Sequence, residues 1–133
     1  MVEQFCGTWT LTASENFDDY MKAIGVNFAT RQLGNAIKPD LVISVDEAGV
    51  VTVKSVSTFK STEIRFRLNE EFSEVTADGR STKTVVSLEN GKLVQKQTWD
   101  GKQTTLEREI RGGLLTAKCI MGDVFAVRTY KPA

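Results

Sequence analysis

Between Gln103 and Arg111 the chain alternates polar and apolar residues, and the alternation puts an arginine where an apolar residue belongs. The odd positions Gln103, Thr105, Glu107, Glu109 and Arg111 form a solvated face, and the even positions are Thr104, Leu106, Arg108 and Ile110. Successive strand residues point to opposite faces, so Arg108 is expected inside, between Leu106 and Ile110. A guanidinium keeps its proton and is costly to bury unpaired, so Arg108 has to meet a carboxylate, water or a ligand there. Near the end of the chain, Val124, Ala126, Arg128 and Tyr130 share one parity, and Phe125, Val127 and Thr129 the other. Parity leaves open which set is inner. If it is the first, two guanidinium forks and a phenol converge on one interior, the donor set for an anionic head group. Otherwise Arg128 lies at the surface or is satisfied by backbone carbonyls and acidic side chains.

Other side chains sort by the same parity. Gln95 and Gln97 fall with Leu93 and Trp99 and would add amides to an interior wall, unless Val94 faces in and they face water. Cys119 falls with Leu115 and Ala117 and is expected to line the interior. It is either a small packing residue or, beside inward arginines, a thiol of lowered pKa open to electrophilic lipids.

Several chemistries are excluded by composition. The 133 residues contain no histidine, which removes the Ser-His and Cys-His arrangements and the commonest metal ligand. The cysteines, Cys6 and Cys119, give neither a zinc-type spacing nor a disulfide framework, so no metal or cofactor is expected. Seventeen Lys plus Arg balance seventeen Asp plus Glu, which gives no basic footprint for nucleic acid. An even charge mix in one small domain over 1–133 favours a monomer. No apolar run approaches the roughly 20 residues a membrane helix needs, and the N-terminal residues resemble no targeting or acylation signal. A cytoplasmic, reduced protein is the expectation.

The elements that position these residues are mostly strands. Turn signals recur at Ala77-Asp78-Gly79, Glu89-Asn90-Gly91, Trp99-Asp100-Gly101, Arg111-Gly112-Gly113 and Met121-Gly122-Asp123, separated by segments rich in Val, Thr, Ile and Leu. This is an antiparallel meander, opened by a strand over Gly7 to Ala13. One region reads as helical: Phe17, Tyr20, Met21 and Ile24 recur at helical spacing after a candidate N-cap, Asn16. Gly25 ends that helix, and Asn27 caps a second, expected to stop at Gly34 and Asn35. About ten strands with no second helical layer must cover their own apolar face, as a sandwich or a barrel able to hold one small ligand. Lys22, Arg31 and Lys38, on or beside the helices, are either a solvated face or a site of transient contact with an anionic membrane surface.

The chain closely resembles the cytosolic fatty-acid-binding proteins of the heart, adipocyte and myelin group. The likeness is carried in order by Phe5-Cys6-Gly7-Thr8-Trp9, Ser14-Glu15-Asn16-Phe17-Asp18-Asp19-Tyr20-Met21, Phe28-Ala29-Thr30-Arg31, Ser57-Thr58-Phe59-Lys60, Glu74-Val75-Thr76-Ala77-Asp78, Trp99-Asp100-Gly101-Lys102 and Arg128-Thr129-Tyr130. The resemblance implies an all-β fold of the calycin type: a ten-stranded antiparallel up-and-down barrel capped by a two-helix hairpin. It implies a non-enzymatic carrier of one long-chain fatty acid, such as oleate or palmitate. The carboxylate would lie on Arg108, Arg128 and Tyr130, with Phe59 at the portal and Phe17, Met21, Val26, Ala77 and Asp78 on the cavity wall. It also implies a cytoplasmic location, with entry to the nucleus in some members. Gln32 stands where close relatives often carry a basic residue beside Arg31, and Gly34 and Ile37 differ from the usual alanines near the portal. A retinoic-acid carrier of the same fold and a membrane-associated structural lipid-binding protein are the alternatives. Burying a 16-carbon chain at about 0.8 kcal/mol per methylene gives roughly 12 kcal/mol before association costs, enough for submicromolar binding.

Overall fold

A computed structural model describes residues 1–133. A short 3-10 helix, η1 (Val2–Phe5), precedes β1 (Gly7–Glu15), α1 (Phe17–Ala23) and α2 (Phe28–Ala36). Nine strands follow: β2 (Asp40–Val45), β3 (Val51–Val56), β4 (Thr62–Phe66), β5 (Phe72–Val75), β6 (Ser81–Glu89), β7 (Lys92–Trp99), β8 (Lys102–Arg111), β9 (Leu114–Met121) and β10 (Val124–Pro132).

All ten strands join one antiparallel sheet in the order β4-β3-β2-β1-β10-β9-β8-β7-β6-β5. The sheet curls into a nearly closed barrel, and the expected meander is its connectivity. Asn90-Gly91, Asp100-Gly101 and Gly112-Gly113 form two-residue hairpin loops in which both residues have positive φ, the conformation that follows the strand twist. The strands β4 and β5, at the two ends of the sheet order, are not paired by backbone hydrogen bonds. Phe66 of β4 and Phe72 of β5 stack at 5.3 Å between centroids, so side chains bridge where the ladder does not.

Apolar packing divides into a larger cluster that includes Phe5, Trp9, Ile43, Val51, Leu93 and Leu115, and a smaller one under α1 with Tyr20, Met21, Ile24, Trp99 and Cys119. Phe5 is wholly buried, and its carbonyl accepts a hydrogen bond from Trp9 Nε1 at 2.9 Å. That bond ties η1 to the barrel wall.

The helical hairpin forms where expected, with two corrections at its ends. Asn16 occupies the N-cap position in a left-handed conformation (φ 63°), but its side chain does not cap the helix. Its Nδ2 donates instead to the Phe125 carbonyl at 2.9 Å, tying the helix entry to β10. Asn27 does cap α2, accepting from Thr30 N at 2.9 Å. Gly34 does not end α2, which continues to Ala36. A Cβ at Gly34 would stand 2.7 Å from Met21 Sδ, so the glycine makes room for Met21 where the two helices meet.

Because Phe5 is fully buried, Phe5→Ala is expected to lower the unfolding free energy by about 3–5 kcal/mol. Urea denaturation should show a lower midpoint with an unchanged slope.

Candidate functional site

The strand register brings the sequence-selected cations together. Arg108 on β8 lies opposite Ala117 on β9, and Ala117 lies opposite Arg128 on β10. The two arginines flank one small residue in a single row, with Cα atoms separated by about two strand spacings, roughly 10 Å. Tyr130 follows Arg128 on the same face. The inner parity of the last strand is therefore the set with Arg128 and Tyr130. All three side chains line an interior cavity of about 340 Å³, within the range of roughly 300–1,000 Å³ usual for small-molecule sites.

Neither cation has an acidic partner. Arg108 Nη1 donates to Gln95 Oε1 at 2.8 Å, its one side-chain hydrogen bond within the protein. Arg128 makes none, and its guanidinium lies 4.0 Å from the centroid of the Phe17 ring. The Nε atoms of both arginines are buried without a partner. The Tyr130 hydroxyl is bonded to no protein group. Burial pushes its pKa up against the opposing pull of Arg128 and Arg108, which keeps the phenol a donor.

Phe17, Met21, Val26, Phe59, Ala77, Asp78, Gln97 and Cys119 all line the same cavity. Phe59 is 65% exposed at its mouth, and Lys60 Nζ donates to the Ala77 carbonyl at 2.7 Å, tying the β3–β4 loop to the β5–β6 turn. Gln95 and Gln97 face inward and are buried. Asp78 pairs with Arg80 at 2.7 Å, and the Arg80 guanidinium lies 4.4 Å from the Trp99 ring centroid.

Two expectations are corrected. The Cys119 thiol is not acidified: burial pushes its pKa up, and the two arginines oppose that only in part. Arg31 does not belong to an open basic face. It pairs with Asp18 at 3.2 Å and donates to the Val26 carbonyl at 2.9 Å, locking α2 onto α1. Lys22 and Lys38 remain exposed.

Sequence reasoning missed one interior carboxylate, Glu74. Its Oε1 accepts from Thr84 Oγ1 at 2.9 Å, Gln95 Nε2 at 3.1 Å and Gln97 Nε2 at 3.0 Å. The parity of Phe72, which turns inward to stack on Phe66, was the signal that could have placed it. No group of Cys, Asp and Glu residues is arranged to hold a metal ion, and no helix is long and apolar enough to cross a membrane.

A model of the lipocalin / cytosolic fatty-acid binding protein family matches residues 6–133. The chain belongs to this family. An adipocyte fatty acid-binding protein of Pygoscelis papua is 50% identical over the full length of both chains. The crystal structure of fatty-acid-binding protein 1 of Echinococcus granulosus superposes with a TM-score of 0.96 at 40% identity, covering 98% of each chain. A Schistosoma mansoni fatty acid binding protein in complex with arachidonic acid superposes with a TM-score of 0.94 at 39% identity, covering 99% of this chain and 98% of the other.

In this member of the fatty-acid-binding family the two thiols should be separable by ligand. Both are pushed up in pKa by burial, so alkylation of either is slow at neutral pH and accelerates as pH rises. Saturating oleate is expected to protect Cys119, which lines the cavity, and to leave Cys6 unprotected, as mass spectrometry of iodoacetamide-treated protein would show.

Asp78 gives a pH prediction. Burial alone would raise its pKa, but hydrogen bonds from Arg80 and Thr76 and the Arg80 charge outweigh it, and the folded value is lowered. Such a group stabilises the fold above its unfolded pKa of about 3.9, and the contribution is lost as pH falls through the folded value. Asp78→Asn is therefore expected to lower Tm at neutral pH and to make Tm less sensitive to acid below about pH 4.

Proposed function

We propose that the protein is a non-enzymatic carrier that encloses one long-chain fatty acid in the barrel. The carboxylate lies between the forks of Arg108 and Arg128 and takes a third hydrogen bond from Tyr130. The acyl chain lies against cavity residues such as Leu41, Val53 and Ile64. The observation that carries this reading is the pair of guanidiniums lining one cavity, with no acidic side chain on either and a buried, unbonded Nε on both. Such groups favour an anion over its neutral ester or alcohol, because a ligand without charge leaves them poorly paired. The ligands named in the comparison proteins belong to the same chemical class.

Loading and release run through the mouth at Phe59, near the loop tied down by Lys60. Phe28 and Leu33 of α2 are exposed large apolar side chains, and Lys22 of α1 is exposed. This combination suits transient contact with an anionic membrane surface by a monomeric carrier.

The test is titration of the delipidated protein with oleate, methyl oleate and retinoic acid, followed by native mass spectrometry, on wild type and Arg128→Gln. One-to-one binding of oleate with much weaker methyl oleate is expected. Loss of one charged donor is worth about 1.5–3 kcal/mol, so Arg128→Gln should weaken oleate by roughly 10- to 100-fold. Stronger binding of retinoic acid than of oleate would reassign the ligand, and equal binding of acid and ester would overturn the role of the arginines.

A further inference from the structure

Strands β5 to β8 carry a hydrogen-bonded polar chain inside the cavity that the carboxylate anchor does not need. Arg108 Nη1 holds Gln95 Oε1 at 2.8 Å, which turns the Gln95 amide so that Nε2 donates to Glu74 Oε1 at 3.1 Å. Arg80 Nη1 reaches Gln97 Oε1 at 3.4 Å and orients that amide likewise, with its Nε2 on Glu74 Oε1 at 3.0 Å. Thr84 Oγ1 adds the third donor at 2.9 Å. Gln95 and Gln97 are 2% and 3% exposed, so this is a built interior arrangement and not a solvated surface cluster.

All three bonds converge on Oε1. Glu74 Oε2 takes none from the protein, and Glu74 lines the cavity. A carboxylate oxygen only accepts, so neither a methylene chain nor a second carboxylate can serve it. A ligand hydroxyl can, by replacing a water's hydrogen bond with its own. A ketone cannot, because it turns a lone pair toward the negative oxygen. The position suits a group on the acyl chain: one glutamine amide links the Arg108 guanidinium to the Glu74 carboxylate.

We propose that Glu74 is a second ligand-recognition group, and that the preferred ligands include long-chain fatty acids bearing a hydroxyl on the chain. The hydroxyl donates to Glu74 Oε2 while the acid head occupies Arg108 and Arg128. This inference rests on the carboxylate-anchored reading above.

The experiment is competition titration of wild type and Glu74→Gln with stearate, a series of monohydroxystearates substituted at successive carbons, and the matching ketostearates. In wild type at least one hydroxy isomer should bind about 10-fold tighter than its ketone, the margin of a charge-assisted hydrogen bond. Glu74→Gln presents amide donors as well as an acceptor, so the hydroxy-over-ketone preference, a ratio taken within each protein, should fall below about 3-fold. If no isomer exceeds its ketone by about 3-fold in wild type, or the preference survives in Glu74→Gln, the assignment is overturned. Failure of wild type to bind stearate at all would bring down the carboxylate anchor itself, a distinguishable result. Should the variant fail to fold, a crystal structure of wild type with the preferred isomer decides. A hydroxyl within hydrogen-bond distance of Glu74 Oε2 supports the assignment, and a hydroxyl elsewhere overturns it.

Discussion

Two guanidinium groups that keep their protons are held on the inner face of a small barrel, and neither has an acidic side chain bound to it. Partly buried cations without an acidic partner are costly, so the surrounding structure has to make the barrel tolerable while leaving the charges available. It does so with weak partners. Gln95 offers Arg108 an amide oxygen, and the Phe17 ring offers Arg128 a π face. Glu74 supplies negative charge one amide away from Arg108 without contacting it. Direct pairing with Glu74 would have neutralised Arg108 and left less for a ligand to gain.

That arrangement depends on sheet register. Arg108 and Arg128 share a row because both pair with Ala117, the small residue that stands between them. The hairpins at Gly112-Gly113 and Gly122-Asp123 set this register, since a one-residue slip would turn either arginine to solvent. The helical hairpin acts on the same site from above. Phe17 and Met21 of α1 line the cavity, Asn16 anchors the start of α1 to β10, and Arg31 and Asp18 lock the second helix to the first. Gly34 lets the two helices approach, because Met21 fills the space its side chain would take.

Much of this was legible in the sequence because strand alternation is a two-state code. Arg108 could be placed inside from its own strand, and the turn dipeptides marked most of the meander. Arg128 and Tyr130 could not be placed by parity alone, since β10 carries apolar residues on both faces. Glu74 was hidden for a related reason: β5 is only Phe72–Val75, too short to display a pattern, and Val75 on its outer face is as apolar as Phe72. The Cys119 pKa needed burial as well as neighbours. Proximity to two cations favours the thiolate, but desolvation opposes it more strongly, and only the packed structure reveals the balance.

The amide orientations on the polar wall follow from charge and not from packing. An arginine at each end, Arg108 and Arg80, claims the oxygen of a glutamine, which leaves both amide nitrogens directed at Glu74. Positive and negative groups therefore alternate from Arg108 through Glu74 to Arg80 and Asp78, with an amide on each side of Glu74 and a direct ion pair between Arg80 and Asp78. Removing any one member would leave a buried neighbour unsatisfied, so the wall is rigid in sign as well as in shape. Under the two proposals made above, the cavity reads two properties of one ligand, an anionic head at the arginine row and a donor along the chain. In that reading apolar contacts supply most of the binding free energy and little of the discrimination.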